Sequence, residues 1–171
     1  MSPPPRVRPP GAGDERSQLV GWLDLQRSLV HHKCDGLGED DAHRALLPTS
    51  PLMTVAGLVA HLRWVEHCWF EVLFLGRPAG PNPQFGADPS ADFRVDGVPL
   101  ARLLAEYARQ CEISTAITAA ASLDDRGRYE GYGAATLSLR WILGHMVEEV
   151  ARHVGHLDVI RELLDGRTGY Y

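Results

Sequence analysis

The chain is poor in everything that would place it outside the ordinary globular class. No apolar run approaches the length of a membrane span. No basic run rises above the background of a chain with net charge −5, which argues against nucleic acid as a partner. There are three cysteines, Cys34, Cys68 and Cys111; they are odd in number and scattered, which excludes a disulfide framework and fits a reducing cytoplasm. The N-terminus has Pro3, Pro4, Pro5, Pro9 and Pro10 where a signal peptide would have an apolar segment. No stretch alternates convincingly like a strand, and no short repeat is present.

What is there is an average soluble composition, 44% hydrophobic and 23% charged over 171 residues, enough for one domain with a proper core. Residues 1–13 are expected to form a flexible proline-rich arm, 14–166 the folded domain and 167–171 a tail. Four amphipathic helices are predicted. The first covers 14–37, with Leu19, Trp22, Leu23, Leu25, Gln26, Leu29 and Val30 as its apolar stripe. The second covers 54–75 with Thr54 as N-cap, the third 99–122, and the fourth 136–165. The spacing predicts an all-α four-helix bundle with a long loop over 76–97, which Phe85 and Phe93 would tack onto the bundle. With a short first connection and a long second one, up-down-up-down order does not follow.

The fourth helix carries the chemistry. Advancing each residue by roughly 100° puts His145, Glu149, His153 and His156 on one narrow stripe, with Ile142 and Ile160 at its ends. Asp158 and Glu162 fall away from it, and Glu148 lies about 100° from Glu149. A stripe that is apolar at both ends turns its middle inward, and buried titratable groups need partners. Residues i and i+4 are neighbours on a helix, so Glu149 and His153 can offer an oxygen and a nitrogen to one ion. A further ligand must come from another helix, and His61 is the one histidine on an inward face of the second; His67 reads as external, near Arg63 and Glu66. Two histidines and a carboxylate leave positions open for water or substrate, a catalytic rather than a closed structural site. Zinc, nickel and iron(II) suit such ligands, zinc foremost. His145 and His156 would act as acid, base or ligand support. The competing reading of the same residues is a metal-free polar core in which Arg152 pairs with Glu149.

Two stretches together, 57–70 around His61 and 139–158 with Leu143-Gly144-His145-Met146-Val147-Glu148-Glu149-Val150-Ala151-Arg152-His153, resemble the DinB/YfiT-like metalloenzyme superfamily, in particular its actinobacterial branch. The similarity runs from 14 to 166. It implies a four-helix bundle and a divalent metal held by His61, Glu149 and His153. Many relatives have histidine where this chain has Glu149; glutamate occurs in the branch that includes mycothiol-dependent maleylpyruvate isomerase. Members with known activity are often transferases or isomerases using a low-molecular-weight thiol such as mycothiol. The expected function is therefore metal-dependent thiol S-transfer on a small-molecule substrate, in the cytoplasm, with no nucleic-acid or membrane partner and a homodimer allowed. The alternatives are a metal-dependent hydrolase or natural-product tailoring enzyme, which would need no thiol, and a non-catalytic binding or stress protein. No cysteine neighbours the proposed ligands on the fourth helix; Cys68, on the face of His61, is the one thiol to check.

Overall fold

The computed structural model describes residues 4–88 and 90–169; the outermost residues of the expected arm and tail, and Pro89 of the loop, lie outside these. Among the described residues there is no strand beyond one isolated bridge, Arg126 with Ser138, so the fold is all-α as expected. No described helix is long and apolar enough to cross a membrane.

Local signals set the helix ends. In α1, Glu15–Cys34, the Asp14 carboxylate accepts from the Ser17 backbone N–H at 3.0 Å and from its hydroxyl at 2.7 Å. A single turn, α2, covers Glu39–Ala42. Thr54 caps α3, Val55–Glu66, by accepting from Gly57. Ser138 caps α5, Leu139–Asp165, and Gly166 at φ 74° ends it in the left-handed conformation that glycine adopts without strain. The start of α4, Leu100–Ala119, is capped from outside: the Glu39 carboxylate accepts the Leu100 N–H at 2.9 Å.

Two features differ from the sequence expectation. The second helix is not α-helical throughout, because His67–Phe74 continues it as a π-helix. π turns are wider than α turns, so side chains beyond Glu66 are rotated from where an α-helix would put them. Trp22, read as part of the apolar stripe of α1, is 42% exposed, while Leu23, Leu25, Leu29 and Val30 are buried.

The order is up-down-down-up. Arg16 donates to the carbonyls of Thr118 and Ala121, and Arg140 pairs with Glu15, so the start of α1, the end of α4 and the start of α5 share one end of the bundle. Arg128 donates its N–H to Leu73 there, which places the end of the second helix at that same end. At the other end Arg161 donates to the Lys33 carbonyl and Glu39 caps α4. Hence α1 and α5 run parallel to each other and antiparallel to α3 and α4. A chain that ends α3 at one end and must begin α4 at the other needs a crossover the length of the bundle, which is why the loop is long. On its way back the loop lies against α3: a Cβ at Gly57 would stand 3.0 Å from the Phe93 carbonyl and 2.5 Å from that of Leu52. Helix α3 is thus covered on nearly every side, with Val55, Leu58, Val59 and Leu62 all buried.

Candidate metal centre

The α3 N-terminal half faces the middle of α5, and His61, Glu149 and His153 converge between them. His61 Nε2 lies 3.3 Å and His153 Nε2 3.2 Å from the same oxygen, Glu149 Oε1. The two imidazoles meet edge to face with centroids 4.7 Å apart. All three side chains are largely buried, 12%, 18% and 12% exposed in the order His61, Glu149, His153. One ligand atom from each lies within 4.8 Å of the other two, and no other group of three such residues occurs among the described residues. Two ligands about 2.1 Å from a tetrahedral ion stand about 3.4 Å apart, so the two histidine-to-glutamate spacings suit a zinc-sized ion.

The other two histidines of the stripe part company. His156 sits behind His153, their Nδ1 atoms 3.2 Å apart. In the metal-free protein His153 Nε2 donates to Glu149; a single proton held between the two Nδ1 atoms would leave Nε2 its lone pair for an ion. His145 makes no hydrogen bond or ring contact with the three. It lies against Trp69, centroids 4.4 Å apart, and stacks on Trp141 at 5.4 Å, with Nδ1 3.5 Å from Glu148. Arg152 pairs with Glu148, so the pairing of Arg152 with Glu149 that a metal-free core would use is not formed. Burial pushes the Cys68 thiol up to about 12, which leaves it no thiolate character at neutral pH.

The crossover loop supplies groups that no sequence period announces. Asp92 Oδ2 is 2.7 Å from His61 Nδ1, Gln84 Nε2 donates to the same oxygen at 2.9 Å, and the Phe93 ring stacks on His61 at 4.3 Å. Phe93 thus tacks the loop down as expected, while Phe85 packs against Tyr129 instead. Beside the cluster a cavity of about 310 Å³ opens, lined by Ser50, Pro51, Leu52, Met53, Ser90 and Phe93, with His153 in its wall.

Charge in the cluster is mutually arranged. Burial opposes a charge on His61, but hydrogen bonds to Asp92 and then Glu149 outweigh it and raise its pKa above the ordinary 6.5. Hydrogen bonds from His153 and then His61 hold Glu149 far below the ordinary 4.5. Burial pushes His156 down, and His153 and Arg152 add to that. A raised histidine stabilises the fold fully below 6.5 and ceases to as pH rises through its raised value. A depressed carboxylate stabilises it above 4.5 and ceases to as pH falls through its depressed value. The metal-free protein therefore gains most from the cluster between these two ordinary values. Urea unfolding of metal-free wild type and of a His61→Ala, Glu149→Ala double variant is expected to differ most in that window; a stability difference independent of pH would contradict it.

Similarity to known proteins agrees with the geometry. No curated protein matches the chain. A family model described as mycothiol-S-transferase matches residues 18–166, a span holding all four long helices except the first turn of α1, and the whole cluster. The chain belongs to the mycothiol-S-transferase family, a DinB-like family.

Proposed function

We propose that the protein is a zinc-dependent S-transferase that joins a mycothiol-type thiol to a small electrophile. The observation that carries this is the meeting of His61, Glu149 and His153 at one point, in a chain of this family. Those three residues would hold the ion, and the donor set of two imidazoles and one carboxylate suits zinc with a position left open. A bound divalent ion would supply the Lewis acidity that brings a thiol's pKa down to neutral pH.

The chain's own residues do the rest. Glu149, held in its ionised form by His153 and His61, would offer a negative oxygen to the ion. His156, its Nδ1 3.2 Å from that of His153, would steady the His153 ring from behind. The thiol proton goes to water at the mouth of the cavity, the sulfur bonds to the electrophilic carbon, and the leaving group departs with the electron pair. The cavity of Leu52, Met53 and Phe93 offers an apolar wall to the electrophile and keeps water from its reacting carbon. Three free cysteines support a reducing compartment as the setting for this chemistry.

Protein purified without an affinity tag should carry one zinc per chain and consume mycothiol in the presence of a reactive electrophile such as an activated aryl halide. Chelation should abolish turnover and zinc should restore it. Undiminished thiol transfer after complete chelation would end the proposal, and turnover that needs no thiol would favour the hydrolase alternative.

A further inference from the structure

The two α5 ligands are aligned by their helix, since Glu149 and His153 are one turn apart on the same face. His61 has no such help. It reaches the cluster alone from α3, and its ring must be held at the right angle and in the right tautomer by something else. That something arrives on the crossover loop. Asp92 is 3% exposed and its Oδ2 meets His61 Nδ1 at 2.7 Å, while Gln84 holds that same oxygen from the other side at 2.9 Å. Phe93, next in the chain, covers the ring face. The remaining oxygen, Asp92 Oδ1, is buried with no protein partner.

Burial works against a carboxylate here, and its bonds to His61 and Gln84 are what keep it ionised. An asparagine or an apolar residue would avoid burying a charge with one oxygen unpaired. What a carboxylate does that an amide does not is accept only. Facing Asp92, His61 Nδ1 has to carry the hydrogen; in the metal-free protein Nε2 donates to Glu149, and an ion would take the place of that proton on the Nε2 lone pair. An amide could present either its oxygen or its nitrogen, and the tautomer would no longer be fixed.

We infer that Asp92, held by Gln84, is a positioning residue that sets the tautomer and orientation of His61 for metal binding; this rests on the metal reading above. The long crossover is then part of the metal centre: the register in which it packs on α3 decides whether His61 is a competent ligand.

The test is zinc affinity, measured by competition with a chromophoric chelator, for wild type, Asp92→Asn, Asp92→Ala and Gln84→Ala, with the visible spectrum of each cobalt-loaded protein and the melting curve of each metal-free protein. Losing an outer partner of a metal-bound histidine typically weakens binding roughly 10- to 100-fold, and that is the fall expected for both Asp92 variants. Gln84→Ala should weaken binding less, and the cobalt bands should shift in the Asp92 variants while their metal-free melting stays cooperative. A merely structural role would lower melting and leave the affinity and cobalt spectrum of the folded protein unchanged. Should an Asp92 variant fail to fold, Gln84→Ala carries the test, and wild-type affinity and spectrum there overturn the inference. Wild type that binds zinc alongside an Asp92→Asn variant of equal affinity overturns this inference alone. Wild type that binds no zinc overturns the metal reading and this inference with it.

Discussion

His153→Ala is expected to give a folded protein that no longer retains metal or transfers thiol. The substitution puts the best helix former into the middle of α5, so the helix itself loses nothing. What it removes is one of the three proposed ligands, and the one that also engages His156. Glu149 and His61 remain, a pair too few to close a site. The loss in zinc affinity should exceed the roughly 100-fold that an outer partner can account for. His145→Ala is the matched control on the same stripe. It removes a ring lying against Trp69 and Trp141, worth about 1 kcal/mol of aromatic contact, and should leave metal affinity as it was. Elemental analysis after dialysis, with thiol consumption on the same samples, checks both. Stoichiometric zinc in His153→Ala would remove the centre on which the proposed chemistry stands.

That contrast also marks how far helix geometry carries a sequence reading. Periodicity placed His145, Glu149, His153 and His156 on one stripe, and all four do lie along one side of α5. A stripe about three turns long, however, faces different things at different heights. Only the turn from Glu149 to His153 stands opposite His61; one turn earlier, His145 meets the π-helical continuation of α3 through Trp69. The third member of the cluster, His61, was legible because one histidine occupied an inward face of the second helix. The carboxylate behind it was not. Asp92 and Gln84 lie in a loop with no period, and their positions follow from a crossover whose path depends on the up-down-down-up order. The length of that loop hinted at the order without fixing it. The burial of Glu66 was hidden for a related reason. Read beside Arg63 and His67 it looked like surface, yet it is fully buried, because its partner is a residue of α1 that looks equally like surface in its own helix.

That partner is Arg27, and separating the two is expected to produce the largest stability loss in the molecule outside its apolar core. The guanidinium grips the Glu66 carboxylate through both oxygens, Nε to Oε1 and Nη2 to Oε2, each at 2.7 Å. Its remaining donors reach Asp24 at 3.0 Å and Thr115 at 3.2 Å, so the pair ties α1 to α3 and to α4. Burial disfavours the charge on Arg27, but the Glu66 carboxylate more than compensates and raises its pKa. Removing one partner alone strands the other's charge in the core. Glu66→Ala or Arg27→Ala should each cost about 3–5 kcal/mol. At about 2–4 °C of melting temperature per kcal/mol for a domain of this size, that is a drop of roughly 6–20 °C. The double variant Arg27→Met, Glu66→Leu strands no charge and fills much the same volume. It should therefore melt close to wild type or above it, even though it lacks every hydrogen bond the pair makes. Calorimetry on the two single variants and the double one closes the thermodynamic cycle. Single variants that lose no more than the 1 kcal/mol or so typical of an exposed ion pair would show that water reaches this pair and that it is not buried as described.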